Sequence, residues 1–276
     1  VALSGLEELL DAPDRVSSVG VVLLMLPDSR VVELVLEGSG LLAALTPGSL
    51  VIDMSSSVPA STRRLAAVAA DLGVGYVDAP VSGGVSRAET GELAIMVGGE
   101  APWVAAARPH LAPLGATIVH VGPPGAGHAA KALNNLLSAT HLAAAAEVLS
   151  VAQRAGIEPE VMLEVLNSST GRSQATEVKY PRHVLTGSFA SGFELDLMVK
   201  DLGIAAGLTA EVGAAAPVTA AAVAAARAAR DHLDRVGADH TELVRYVEHV
   251  NATSLRSPTD PTASGSNHPA GEDPTR

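Results

Sequence analysis

The sequence predicts an α/β protein with a parallel sheet in its first half, followed by an all-α half that is reached through one long helix. Short apolar runs alternate with amphipathic helical patterns up to about residue 121, which is typical of crossover-connected parallel strands. From residue 126 to residue 250 the apolar spacing is helical. Only 2% of the residues are aromatic while 47% are hydrophobic, so we expect a core of Ala, Val and Leu with closely packed helices.

Five apolar runs predict the strands of the sheet, because each is continuous and bounded by turn residues, as in strands buried on both faces. These runs are residues 19–26, 49–54, 75–79, 93–97 and 116–121. The segments between them predict helices over residues 30–45 (with a glycine interruption), 59–72 and 102–111.

A helix over residues 126–155 would be about 45 Å long, which exceeds the thickness of an α/β layer. It therefore predicts a passage from one domain to the next. We expect an α/β domain at 1–124, and the linking helix with an all-α domain at 125–250. The Ser-, Thr-, Pro- and Gly-rich segment 251–276 predicts a disordered tail.

The overall composition disfavours several classes of function. A net charge of −12 argues against nucleic-acid binding. The sequence has no cysteine, and its nine histidines form no metal-binding motif, so no metal site is predicted. No signal peptide or run of about 20 strongly apolar residues is visible, which predicts a cytoplasmic protein without a membrane partner.

A Ser-Gly-Gly turn follows the third predicted strand. Ser82, Gly83 and Gly84 lie at the carboxyl end of this strand, where parallel sheets bind ligands. The glycines allow backbone N–H groups to approach an anion, and the serine adds a hydroxyl donor. A plain tight turn explains the same residues, and alone this motif would favour that interpretation.

Lysine usage points to a second group of residues. Lys131 and Asn135 are four residues apart near the start of the long helix, so they share one face. The chain has 18 Lys and Arg residues but only three lysines, the others being Lys179 and Lys200. Because lysine can release a proton in a protein and arginine cannot, Lys131 is a candidate for proton transfer rather than a solvated surface residue.

A third group combines a lysine with two strand ends. Lys200 precedes an aspartate at the start of a helical segment, which by itself fits an ordinary surface ion pair equally well. Leu26-Pro27 and the serines 55–57 each follow a predicted strand, a suitable place to line a ligand cleft. A proline turn and a helix cap would explain these two segments as well.

The motifs DAPVSGG, GxxxKxxxN and KDL, in this order, resemble the β-hydroxyacid dehydrogenase family, which includes 3-hydroxyisobutyrate dehydrogenase and tartronate semialdehyde reductase. The resemblance extends from about residue 17 to residue 250. It implies a Rossmann-like domain, NAD or NADP as cofactor, and hydride transfer to or from a small β-hydroxy acid or its semialdehyde. It also implies a homodimer or homotetramer and a likeness to 6-phosphogluconate dehydrogenase.

The resemblance also implies residue roles. Lys131 corresponds to the general acid/base, and Asn135 to the residue that orients the substrate. Residues 82–84 correspond to the substrate carboxylate site. The residues implied at the cofactor are Leu26, Pro27, Ser56 and Lys200.

One departure concerns the start of the family pattern, a strand–GxGxxG–helix unit that holds the cofactor diphosphate. The sequence contains no GxGxxG, and it starts roughly 30–40 residues too late for one, about one βαβ unit. We therefore expect domain 1–124 to lack its first βαβ unit. The alternative function is a non-catalytic remnant that dimerises through its helical half, which binding of NADH or NADPH would discriminate.

Overall fold

The computed structural model describes residues 16–256, and its sheet has six strands. Five of them lie inside the five predicted runs or overlap them, and the sixth is a two-residue strand that the sequence analysis missed. The strands are β1 (Val21–Leu24), β2 (Leu50–Asp53), β3 (Gly75–Asp78), β4 (Val81–Ser82), β5 (Ala94–Gly98) and β6 (Thr117–Gly122).

The sheet is mixed, so the prediction of a wholly parallel sheet is correct only in part. β1, β2 and β3 pair in parallel, and β5 and β6 pair in parallel, but β5 runs antiparallel to β3 and β4. The reason is that β4 follows β3 after two residues and the chain then turns back through residues 83–93, so β5 runs antiparallel alongside both strands. Pro80 also joins the antiparallel pairing, because its carbonyl accepts a hydrogen bond from Met96 N at 3.0 Å.

Helices connect the strands and form the second half of the protein. The predicted helix over 30–45 is divided, because Gly40 adopts a left-handed conformation (φ 80°) between two shorter helices. The helices are α1 (Ser29–Glu33), followed by a π-helical turn (Leu34–Gly38), α2 (Leu41–Ala44), α3 (Pro59–Asp71), α4 (Gly84–Glu89), α5 (Ala101–Leu111), α6 (Ala126–Arg154), α7 (Pro159–Ser168), a π-helical segment (Ala175–Val184), α8 (Leu195–Glu211), α9 (Pro217–Leu233), a 3₁₀ turn (His240–Glu242) and α10 (Leu243–Asn251).

Both faces of the sheet are covered. Successive side chains of a strand point to opposite faces, and in β2 Val51 belongs to one apolar cluster and Ile52 to another. Leu65 of α3 packs in the first cluster, and Leu111 of α5 in the second. The loops after β1 and β2 contact the helical half through Lys200, which donates to the carbonyl oxygens of Pro27 and Ser56.

The long helix α6 is the centre of the helical half. Its 29 residues extend about 44 Å, as the sequence predicts. Small side chains such as Ala146, Ala226 and Ala229 are fully buried around it, and Tyr180 OH donates to the carbonyl of Leu142 at 2.7 Å. By length and composition α6 is also the one described helix that could cross a membrane, and half of its most apolar stretch is buried inside the protein.

The segment after α10 is packed as far as the structure describes it. The predicted disordered tail begins at residue 251, yet Asn251 ends α10 and Leu255 is fully buried. Leu255 N donates to Glu248 Oε1, and Gln153 of α6 bonds the backbone of Ser254. Residues 257–276 of the predicted tail lie outside the described residues, as do residues 1–15 of the predicted first domain.

Candidate active site

The first two groups of residues singled out in the sequence meet in one cavity of about 680 Å³. Ser82, Gly83 and Gly84 line it from the end of β4, and Lys131 and Asn135 line it from α6. This volume is within the range of ligand pockets, roughly 300–1,000 Å³. Gly83 has a φ of 140°, a conformation that favours glycine, so the turn requires the residue type that the sequence provides.

The start of α6 is pressed against the sheet, and this contact fixes where Lys131 lies. The Asp78 carboxylate accepts hydrogen bonds from Gly125 N and His128 N, both at 2.8 Å. A Cβ at Gly127 would lie 2.5 Å from the carbonyl oxygen of Met96 and 2.8 Å from Asp78 Oδ2. Glycine is therefore needed at this crossing, which holds Lys131 one turn further along the helix.

A buried histidine connects the same helix to the loop after β2. His128 is only 1% exposed, its Nδ1 lies 2.7 Å from Thr62 Oγ1, and its Nε2 lies 3.0 Å from the carbonyl oxygen of Ser55. A carbonyl only accepts, so Nε2 donates the hydrogen bond to Ser55. The sequence alone does not reveal the role of His128, because nothing in its local pattern distinguishes it from a surface histidine.

Lys131 is partly buried, and its surroundings lower the pKa of its amine. Burial lowers the pKa of Lys131, the nearby positive charge of Lys200 lowers it further, and the Asp201 carboxylate opposes both. A lysine with a lowered pKa exchanges protons more readily near neutral pH. The arrangement is thus chemically suited to proton transfer.

Asp201, which the sequence analysis treated only as a neighbour of Lys200, is central to this cluster. It is 3% exposed, and its Oδ2 accepts a hydrogen bond of 2.6 Å from Asn135 Nδ2. Its Oδ1 lies 3.4 Å from Lys200 Nζ. One buried carboxylate therefore faces Lys131, Asn135 and Lys200, and it aligns α6 with α8.

The third group of residues also comes together. Lys200 Nζ donates to the carbonyl oxygens of Pro27 at 2.9 Å and Ser56 at 3.0 Å. Leu26 N donates to Ser55 Oγ at 2.9 Å. Lys200 therefore bridges the loops that follow β1 and β2, and it also lines a second cavity of about 360 Å³ with Val58.

These loops fit one end of a dinucleotide cofactor. The buried hydroxyl of Ser57 has no hydrogen-bond partner, which leaves it free for a ligand's amide or hydroxyl group. The loops also follow parallel strands β1 and β2, the usual position of a dinucleotide cleft. Within residues 16–256 no GxGxxG turn is present, so the fit concerns the nicotinamide end rather than the diphosphate.

Lys179, the remaining lysine of the chain, also lines the main cavity. Lys179 Nζ donates to Ser138 Oγ at 2.9 Å, and burial lowers its pKa to about 8, with Asp239 opposing. The neighbouring His240 is 4% exposed, and burial together with Lys179 lowers its pKa to about 4. The rarity of lysine, which singled out Lys131, was a signal for Lys179 that the sequence analysis did not follow.

The comparisons with known proteins agree with this architecture. Residues 3–122 match the family described as the NAD binding domain of 6-phosphogluconate dehydrogenase, and residues 125–247 match the one described as NAD-binding of NADP-dependent 3-hydroxyisobutyrate dehydrogenase. The chain is 43% identical over 203 residues to 2-(hydroxymethyl)glutarate dehydrogenase of Eubacterium barkeri, covering 73% of this chain and 67% of that protein.

Solved structures show the same fold. The 3-hydroxyisobutyrate dehydrogenase of Mycobacterium tuberculosis with L-serine aligns with a TM-score of 0.78 at 34% identity, covering 85% of this chain and 81% of that one. The structure of Psf3 in complex with NADP+ and 2-OPP aligns with a TM-score of 0.70 at 28% identity, covering 86% and 82%.

These matches define an NAD(P)-dependent dehydrogenase with a Rossmann-like domain and a helical second half. The chain belongs to the β-hydroxyacid dehydrogenase family, as its motifs predicted, and the cofactor of this family is NAD or NADP.

Proposed function

We propose that the protein interconverts a small β-hydroxy acid and its semialdehyde, with Lys131 as the general acid/base. The observation that carries this proposal is the meeting of Lys131 and Asn135 with the Ser82–Gly84 turn in one cavity. Support also comes from relatives that are named for dehydrogenation of hydroxy acids. The alternative of a non-catalytic scaffold is not supported by these relatives.

In oxidation, the neutral amine of Lys131 accepts the proton of the substrate hydroxyl group. A hydride leaves the carbon that bears this hydroxyl group. In reduction, the ammonium form of Lys131 donates the proton to the carbonyl oxygen and stabilises the developing alkoxide. Bound NAD(P) accepts or supplies the hydride, so the oxidised alcohol loses one hydride and one proton in all.

Residues of the turn and of α6 hold the substrate. Ser82, Gly83 and Gly84 bind its carboxylate through the serine hydroxyl and backbone N–H groups. Asn135, held by Asp201, orients the hydroxyl group towards Lys131. On the cofactor side, Leu26, Pro27 and Ser56 line the nicotinamide end, and Lys200 holds their two loops together.

The proposal extends to assembly and location. Exposed apolar side chains on α6 and α7, among them Leu133, Leu137, Val161 and Val165, provide surfaces for a homodimer or homotetramer. The proposed location is the cytoplasm, where the cofactor pool and small organic acids are available. Light scattering of the purified chain measures the number of subunits.

The function is tested with the purified chain, oxidised cofactor and 3-hydroxyisobutyrate. Formation of NADH or NADPH, followed by absorbance, is the expected result. A parallel fluorescence titration with NADH and NADPH measures cofactor binding without turnover. Cofactor binding without oxidation of any β-hydroxy acid would contradict the proposed reaction, and no cofactor binding would favour the scaffold hypothesis instead.

A further inference from the structure

The large cavity carries an unusual balance of charge. Four of the residues that line it are Lys or Arg, namely Arg87, Lys131, Lys179 and Arg182. Among the described residues that line it, none is Asp or Glu. The whole chain has 30 acidic residues against 18 basic ones, so the cavity opposes the charge of the protein around it. A cleft lined by one sign of charge concentrates ligands of the opposite sign.

A substrate with a single carboxylate leaves part of this charge unused. In the proposed function the Ser82–Gly84 turn binds the carboxylate, and Lys131 exchanges a proton with the hydroxyl group. Lys179 and Arg182 line the same cavity and have no role in binding such a substrate. Both belong to the π-helical segment Ala175–Val184, which lines the cavity.

The position of Lys179 relative to Lys131 sets the distance between two binding points. Lys179 is hydrogen-bonded to Ser138, which lies seven residues after Lys131 on α6. Seven residues bring a helix back to the same face and advance it by about 10 Å. Two long, flexible lysine side chains at this spacing can reach the opposite ends of a short-chain molecule.

The surroundings of Lys179 leave its positive charge available to an anion. Its hydrogen-bond partner, Ser138 Oγ, is neutral. The nearby Asp239 carboxylate accepts hydrogen bonds from Ser191, Gly192 and Thr241, which occupy both of its oxygens. His240 beside it is neutral near physiological pH. An incoming anionic group would therefore offset the hydration that the Lys179 ammonium loses on burial.

From these observations, and resting on the proposed function, we infer that the substrate is dianionic. Its second anionic group, a carboxylate or a phosphate several bonds from the hydroxyl-bearing carbon, is bound by Lys179 and Arg182 in the same cavity. The redox chemistry is unchanged: the carbon bearing the hydroxyl group gives its hydride to NAD(P) and the hydroxyl proton goes to Lys131. The inference concerns which hydroxy acids are accepted.

Binding without turnover tests the second anion site directly. Calorimetric titration compares glutarate, which has two carboxylates, with butyrate, a matched monocarboxylate of similar chain length. We expect glutarate to bind at least about tenfold more tightly, as for a charge-assisted hydrogen bond. Titration with 3-phosphonopropionate distinguishes the two sources of charge, because tighter binding than glutarate would indicate a phosphate group.

Variants test whether Lys179 and Arg182 cause the preference for glutarate over butyrate. Lys179→Met is expected to remove most of the preference for glutarate over butyrate, whereas Lys179→Arg keeps it. Arg108→Gln, which removes an exposed positive charge on α5 outside the cavity, is the matched control and should retain the preference. Thermal unfolding checks that each variant is folded, and Arg182→Gln replaces Lys179→Met if the latter is not.

Turnover completes the test. The ratio of kcat/KM for 2-(hydroxymethyl)glutarate to that for 3-hydroxyisobutyrate should fall about tenfold or more in Lys179→Met. Equal binding of glutarate and butyrate to the unmodified protein, or an unchanged ratio in the folded variant, would overturn the inference. If glutarate is preferred but no hydroxy acid is oxidised, the proposed function fails while the second anion site remains.

Discussion

Asn135 Nδ2 donates a hydrogen bond of 2.6 Å to Asp201 Oδ2, which joins the long helix α6 to α8 across 66 residues of sequence. This contact makes Asp201 a positioning residue for the site, since it orients Asn135 and opposes the lowering of the Lys131 pKa. It therefore has consequences for turnover and for its pH dependence.

Asp201→Asn keeps the shape of the side chain but removes its charge. We expect kcat/KM to fall about tenfold, as for the loss of a hydrogen bond to a charged group. The pKa of Lys131 should fall further once the carboxylate is neutralised, so the acidic limb of the pH profile for oxidation, where protonation of Lys131 stops the reaction, moves to lower pH. Asp196→Asn, an exposed carboxylate in the first turn of the same helix, is the control. An unshifted profile would indicate a purely structural role.

Lys131→Ala removes the proposed proton-transfer group. The expected loss in kcat is about 10²–10⁴-fold, as for removal of a general acid/base, with little effect on folding. Lys131→Arg should be similarly impaired, because arginine keeps the charge but does not release its proton. Steady-state kinetics of both variants, with circular dichroism as the folding check, measures this. Near-normal turnover in either variant would eliminate the assignment.

Lys200→Met breaks the bridge between the loops after β1 and β2. Two hydrogen bonds to the carbonyl oxygens of Pro27 and Ser56 are lost, so we expect NAD(P)H to bind about tenfold more weakly. Fluorescence titration measures the Kd, and Arg227→Met on α9 is the matched control for loss of a positive charge. Unchanged cofactor affinity would show that Lys200 does not organise the nicotinamide end.

Gly127→Ala should destabilise the protein by about 1–3 kcal/mol, because the new Cβ would meet Met96 O at 2.5 Å in a well-packed contact. Gly203→Ala is the matched helical control. A Cβ there has nothing within 4 Å, and alanine is the better helix former. Urea unfolding of the two variants gives the difference in the free energy of unfolding. Equal stability of the two would mean that the α6–β5 contact is more tolerant than the distances indicate.

The affinity for glutarate should depend on pH through Lys179. With a pKa of about 8, its amine is charged below that value and neutral above it, so binding should be strongest below pH 8 and weaken as the pH rises through it. Asp239, His240 and Arg182 also face this region, and His240 stays neutral over this range because its pKa is about 4. Calorimetric titrations across the pH range measure the effect. Affinity that does not weaken above pH 8 in the unmodified protein would contradict it.

Burial of the same lysine destabilises the free protein near neutral pH, and this cost is relieved in alkaline solution. Because the pKa of Lys179 is lower in the folded state than its ordinary value of 10.5, the unfolded chain binds more protons between about pH 8 and 10.5. The penalty for burying the charged amine is complete below about pH 8 and is relieved as the pH rises through this window. Lys179→Met should therefore be stabilising near neutral pH and lose this advantage by pH 10.5, as measured by thermal unfolding.

Local patterns predicted a large part of the fold. Runs of apolar residues placed five of the six strands, and helical spacing placed α6 within one residue of its observed end. The scarcity of lysine and the spacing of the motifs predicted Lys131, Asn135 and the Ser82–Gly84 turn, and the structure places all of them in one cavity. These features depend on a few consecutive residues, and for that reason they can be read along the chain.

Other features depend on contacts between distant segments. The antiparallel direction of β5 follows from how β4 continues β3, which no local pattern records. Asp201 becomes part of the site only because α8 brings it against Asn135, and Lys179 only because the segment around it folds over Ser138. The sequence does not distinguish a charged side chain that is exposed to water from one that is buried against a partner. Its role is set by burial and by the groups that face it, and these are decided by tertiary packing.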